Sequence, residues 1–273
     1  MQRRHTDRER YFEESSCTSS NNYMPYIEQF HRIKSRSKIL EVGCGEGGNL
    51  LPFAQRGCDV VGIDMSESRI QQAQHYFHKH DMRGAFICCN FLSCTSPMAE
   101  IEKYDVILLH DVIEHIRDKH AFIGHLVKFL KSDGILFVAF PAWQMPFGGH
   151  QQICHHRFWS IVPYWHLLPT RVYHFILKRL AHESTATINE LLEIKSCKVS
   201  VESFEKIVHN LPINIINRKL WFINPHYQEK FGLYPRALPS FLSQIPHLRN
   251  YFSTSCFYLL RLRQQRSCEH GSY

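Results

Sequence analysis

From residue 39 onward, two hydrophobic periods alternate along the chain. Ile39-Leu40-Glu41-Val42, Asp59 to Asp64, Ala85 to Cys89, Tyr104 to Leu109 and Ile135 to Phe140 are short runs dense in apolar residues. Such runs suit strands buried on both faces. Between them apolar residues recur at helical spacing. Ile70, Ala73 and Phe77 line one face of a helix over Ser66 to His80, with Ser66 as its N-cap. Asn49 to Gln55 reads as a shorter helix. A further helix runs from Ala121 to Leu130 and is closed by Lys131-Ser132-Asp133-Gly134. Strands alternating with helices predict an α/β fold, a doubly wound and mostly parallel sheet.

The pattern breaks at Pro141. The stretch to about residue 199 is dense in Trp, His, Tyr and Pro, with helical spacing over Arg171 to Ala181 and Thr187 to Ile194. It predicts a helical insertion after the fifth strand, a lid over about 141–199. A helix at Val201 to His209 follows. Two more strands, Ile213 to Ile223 and Thr254 to Leu262, flank a loop punctuated by Pro225, Pro235, Pro239 and Pro246. Residues 1–20 are polar and end in Ser15, Ser16, Thr18, Ser19 and Ser20, which predicts a weakly structured flap. Tyr23, Tyr26, Ile27 and Phe30 then mark a helix. The expected organisation is a flap and helix over 1–35 and one domain over 36–273.

Composition changes this picture little. The chain has 273 residues, 44% hydrophobic, enough for one large domain. The formal charge of +7 is spread over scattered Lys and Arg, so it reads as a basic solvated surface and not as a nucleic-acid footprint. The ten cysteines contain no CxxC pair. Cys44, Cys88 and Cys89 sit in or beside apolar runs, where a free thiol acts as a small buried hydrophobe. No apolar run reaches the ~20 residues of a membrane-spanning helix, and no secretory leader is recognisable. A reducing cytoplasm is the expected compartment.

The chemistry starts at Gly43-Cys44-Gly45-Glu46-Gly47-Gly48. A strand followed by glycines and a helix binds anions and close-packed ligands, because backbone N–H groups face a ligand that no side chain keeps away. Gly43, Gly45 and Gly48 satisfy GxGxxG, and Asp64 lies about twenty residues beyond, as a dinucleotide-binding protein requires. An NAD(P)-dependent oxidoreductase is therefore one reading. Glu41, just before the first glycine, favours another. A carboxylate there suits a ligand carrying an ammonium group and repels a pyrophosphate.

Taken with His110-Asp111-Val112-Ile113-Glu114-His115-Ile116 after the fourth strand, residues 39–140 resemble class I S-adenosylmethionine-dependent methyltransferases, in particular the ubiquinone-biosynthesis and sugar O-methyltransferase subgroup. The resemblance implies a Rossmann-like sheet of seven strands, one of them antiparallel. It also implies roles. Gly43, Cys44 and Gly45 would pass under the methionine and ribose of S-adenosylmethionine, and Glu41 would neutralise the amino group. Asp64 would accept both ribose hydroxyls. Met65 would pack on the adenine, Asn90 (where the family often has Asp) would meet the adenine amino group, and Phe91 would border the ring. His110 would lie by the methionine end. Tyr11-Phe12 is expected to fold over the cofactor.

Methyl transfer needs alignment above all, and a hydroxyl acceptor usually also needs a base. His150 and His115 are the catalytic candidates. Each competes with a plain structural role. Cys154-His155-His156, four residues past His150, invites zinc, but no second cluster completes a site, so no metal is assigned. Trp143, Phe147, Phe158, Trp159, Tyr164 and Trp165 form either a wall of the acceptor site or an accessory core. The expected partner is a small-molecule methyl acceptor, with O-methylation the leading reaction. A methyltransferase-like binding protein without turnover is a third reading.

Overall fold

The computed structural model describes residues 7–93 and 103–263. One sheet organises them, in the strand order β3-β2-β1-β4-β5-β8-β6-β7. Its strands are β1 (Lys38–Val42), β2 (Asp59–Asp64), β3 (Ala85–Cys88), β4 (Tyr104–His110), β5 (Leu130–Phe140), β6 (Ile213–Ile223), β7 (Arg236–Ala237) and β8 (Ser255–Leu262). The pairs from β3 across to β5 are parallel, and β8 runs antiparallel to both β5 and β6. These are the expected seven strands with one reversed. The eighth, β7, is a two-residue edge antiparallel to β6, formed by the proline-punctuated loop. Two residues carry no period, so no sequence pattern marks it.

Both faces of the sheet are covered, and β1 shows how. Leu40 and Val42 join a core with Phe122, Leu126, Phe204 and Val208. Ile39, one residue out of phase, joins the opposite core with Phe12, Tyr23, Phe53 and Phe77. The first face is covered by α5 (Lys119–Leu126) and α8 (Val201–His209). The second is covered by α1 (Arg8–Thr18), α2 (Met24–Glu28), α3 (Leu51–Gln55) and α4 (Glu67–Lys79).

The structure corrects four local expectations. The polar N-terminal segment is ordered helix from Arg8, capped by Asp7, whose carboxylate accepts from Arg10 N. Its serines are small enough for close packing, and Ser15 and Ser16 are buried where an amphipathic pattern would need larger apolar residues. Lys131 to Gly134 does not end a helix. It bulges inside β5, between the pairs Tyr104↔Leu130 and Val106↔Ile135, and Lys131 reaches back to Asp105 at 2.8 Å. Ser66 occupies the N-cap position of α4, but its side chain makes no capping bond. Cys88 is exposed, not buried, and all eight described cysteines are free.

The insertion has a small core of its own. Trp165, Tyr173, Ile176, Leu177, Ile188 and Leu191 pack together between α6 (Thr170–Phe175) and α7 (Thr185–Ser196). Among the described residues, no helix is long and apolar enough to cross a membrane.

Candidate active site

The C-terminal ends of β1, β2 and β4 meet at one crevice, where ligands gather in open α/β sheets. Glu41, near the end of β1, is 1% exposed. Asn49 Nδ2 donates to its Oε1 at 2.7 Å, while Oε2 has no partner. Burial pushes its carboxyl up to about 8, against the opposing hydrogen bond from Asn49. An acid so placed ionises readily only when a cation arrives.

The glycine loop bends away from Glu41. Gly45 has φ +52°, and a Cβ there would enter open space. Gly48 has the opposite constraint. A Cβ there would meet the Phe12 carbonyl oxygen of α1 at 2.6 Å and Ser15 Cβ at 2.8 Å. The first glycine keeps a cavity open, and the second lets α1 close over it. Arg8 of α1 bridges to Glu46 of the loop at 3.1 Å. Asp64 at the end of β2 holds the loop from below. Its Oδ2 accepts from Gly45 N at 2.9 Å, and its Oδ1 accepts from Ser66 N at 2.8 Å.

Two adjoining cavities result. One, of about 330 Å³, is lined by Gly43, Cys44, Gly45, Glu46 and His110, with Tyr11 and Phe12 of α1 above. The other, of about 650 Å³, is lined by Asp64, Met65, Asn90 and Phe91, and on its far side by Glu190, Glu193 and Ile194 of α7. Gly43, Arg69, Asp111, His115 and His150 line both. Every cofactor residue expected from the sequence except Glu41 therefore borders a cavity, and Glu41 lies buried behind the loop. Met65 is 73% exposed, and Phe91 is buried against Phe122 and Phe129.

His110 shares a 2.8 Å hydrogen bond with Tyr23 OH and lies 3.6 Å from Asp111 Oδ2. Asp111 has φ +52°, a strained conformation for a residue with a side chain. His115, on the turn after β4, and His150, after β5, stand edge to face with ring centroids 5.1 Å apart. Desolvation lowers both, His150 to about 4, so both imidazoles are neutral at pH 7.

Several expectations are corrected here. Among the described residues the six aromatics from Trp143 to Trp165 line neither cavity; the insertion contributes His150 and α7 instead. The His150 to His156 run is split. His155 Nδ1 pairs with Glu183 at 2.9 Å, Cys154 is buried in the insertion core, and His150 turns to His115. Sequence reasoning missed Arg69, Glu190 and Glu193, which no motif marks. Glu114, to which the sequence assigns no role, is buried with both carboxylate oxygens lacking a hydrogen-bond partner.

The methyltransferase domain family matches residues 20–182, more than half of the chain. The chain belongs to this family. The cofactor is accordingly S-adenosylmethionine, and the dinucleotide reading of the glycine loop falls. Among curated relatives, the ubiquinone biosynthesis O-methyltransferase of Bartonella quintana (strain Toulouse) is 30% identical over 153 residues, 52% of this chain and 57% of that protein. The protein of the same name from Rickettsia typhi (strain ATCC VR-144 / Wilmington) is 37% identical over 106 residues, 38% of this chain and 41% of its own. The chain thus spans about half the length of these relatives. The structure of a putative sarcosine dimethylglycine methyltransferase from Galdieria sulphuraria shares the fold, with a TM-score of 0.56 at 13% identity, covering 89% of this chain and 84% of that one.

Proposed function

We propose that this methyltransferase moves the methyl group of S-adenosylmethionine to a hydroxyl oxygen of a small molecule. The observation that carries the cofactor's placement is Glu41, a buried carboxylate with one unpartnered oxygen beside a glycine loop. An ammonium group supplies the charge that such a group lacks. The amino-acid half would lie over Gly43, Cys44 and Gly45 with His110 alongside. The adenosine half would lie in the larger cavity, with Asp64 on the ribose, Met65 and Phe91 against the adenine and Asn90 at its edge. Asp64 already accepts two backbone hydrogen bonds. Its remaining lone pairs suit a diol.

S-adenosylmethionine supplies an activated methyl group. The chain supplies alignment, exclusion of water by α1 and a hydrogen-bond acceptor for the hydroxyl. His115 and His150, on the wall common to both cavities, are the proposed acceptors. Oxygen as the acceptor atom follows the names of the two relatives. The acceptor would sit between this wall and α7. The assay is transfer of labelled methyl to a panel of phenols, catechols and sugars, beside calorimetric titration with S-adenosylhomocysteine. Absence of S-adenosylhomocysteine binding ends the reading of the cofactor site. Binding without transfer to any hydroxyl favours a chain that binds without turnover.

A further inference from the structure

We propose that His166 and Gln151 are positioning residues that hold His150 in place on the wall shared by the two cavities. The inference rests on the hydroxyl-methylation reading, in which His150 is a hydrogen-bond acceptor for the substrate hydroxyl. His150 borders both cavities and stands at φ +55° and ψ +25°, in left-handed backbone. A residue with a side chain keeps that conformation only where its surroundings impose it.

The constraint comes from the side of the turn that faces away from the cavities. Gln151, the next residue, is completely buried. Its amide nitrogen donates to the Pro146 carbonyl at 2.8 Å and lies 3.2 Å from His166 Nδ1. His166, also completely buried, places Nε2 2.8 Å from the Trp143 carbonyl oxygen. A carbonyl only accepts, so Nε2 carries the hydrogen and Nδ1 is left to accept from Gln151. Both amide hydrogens of Gln151 and both ring nitrogens of His166 are thereby used. The glycines before His150 fit the same brace. A Cβ on Gly148 would meet the Trp143 carbonyl oxygen at 2.2 Å, and one on Gly149 would meet His166 Cβ at 2.3 Å. The turn is therefore packed directly onto the ring that braces it.

The brace is itself anchored. Trp143 N donates to the Val199 carbonyl at 2.8 Å, and Lys195 of α7 donates to the carbonyls of His166 and Leu168. Because α7 lines the far side of the larger cavity, His150 is held relative to the wall opposite it. Neither His166 nor Gln151 lines either cavity. Their effect on methyl transfer passes through His150, and alignment of that group is what they supply.

The test uses the full chain with labelled histidine. The rings of His115 and His150, with centroids 5.1 Å apart, should show a nuclear Overhauser contact that Gln151→Leu removes. That variant should also lower kcat for hydroxyl methylation at least tenfold, with S-adenosylhomocysteine affinity unchanged. Combined with His150→Ala it should lower kcat no further, since two residues acting through one group are not additive. Should Gln151→Leu fail to fold, His166→Gln carries the same measurements, because it keeps a donor for Trp143 and lacks the ring nitrogen that meets Gln151. Absence of the ring contact in the native chain, its survival in the variants, or a loss of kcat that adds in full to that of His150→Ala overturns the proposal. The ring contact is read without turnover. A chain that loses it in the variants but methylates no hydroxyl therefore counts against the hydroxyl reading and not against the brace.

Discussion

Asn49 Nδ2 donates to Glu41 Oε1 at 2.7 Å and leaves the other carboxylate oxygen of Glu41 without a partner. The pair is a half-satisfied acid placed behind a glycine loop. Its first consequence is a proton linkage. With its carboxyl raised from 4.5 to about 8, Glu41 holds a proton in the ligand-free fold that the unfolded chain has lost. Its contribution to stability therefore falls as pH rises through that window. An ammonium ligand should expel the proton. Calorimetry of S-adenosylhomocysteine binding at pH 7, repeated in buffers of different ionisation enthalpy, should show close to one proton released. Glu41→Gln should abolish the release and weaken binding at least tenfold. Equal proton release in that variant would refute the assignment.

Gly48 and Gly45 should respond differently to the same added methyl group. Gly48→Ala forces α1 away from the loop, since the Phe12 carbonyl oxygen and Ser15 Cβ occupy the space. It should cost about 1–3 kcal/mol, seen as a lower melting temperature. Gly45→Ala carries only the strain of its positive φ, about 1 kcal/mol. Its methyl group projects into the cavity. It should therefore lose more cofactor affinity than stability, and the two readouts should change rank between the variants.

Tyr23 joins the N-terminal helices to the end of β4 through His110. Tyr23→Phe removes the hydroxyl partner of a half-buried ring nitrogen, at a cost of about 1 kcal/mol. Chemical denaturation should show that loss, together with weaker S-adenosylhomocysteine binding, because His110 would no longer be held beside Asp111.

His166 is fully buried between the Trp143 carbonyl at 2.8 Å and Gln151 at 3.2 Å. Burial lowers it from 6.5 to about 4. Between those values the unfolded chain binds a proton that the fold does not, so stability falls as pH drops from 6.5 toward 4 and levels off below. His166→Gln should flatten that slope in melting temperature against pH. His150, depressed to a similar value, should leave part of the slope in place. A slope unchanged in the variant would show that His166 does not carry it.

The strand ends were readable because their signals are local. A buried parallel strand is a run of apolar residues, and the glycines after β1 mark the turn where a ligand approaches. Asp64, the last residue of β2, was marked by its spacing from the glycines, while Asn90, just past β3, and His110, the last residue of β4, came from the family resemblance. Neither signal marked Glu190 or Glu193. They belong to a helix whose pattern reports only that it is a helix, and their place at the cavity depends on how the insertion folds back. The serines of α1 misled for the opposite reason. Their polarity reads as exposure, but small side chains are what a helix needs to approach a glycine loop.

By itself, then, the sequence determined the doubly wound, mostly parallel sheet, the existence of its first five strands and the glycine loop after β1, because each is marked by residues close together along the chain. Tertiary structure alone decided that α1 seals the loop, that His115 meets His150, and that Glu114 is buried without a hydrogen-bond partner. Those facts depend on distances between segments 30 or more residues apart, and such distances exist only once the sheet has brought the segments together.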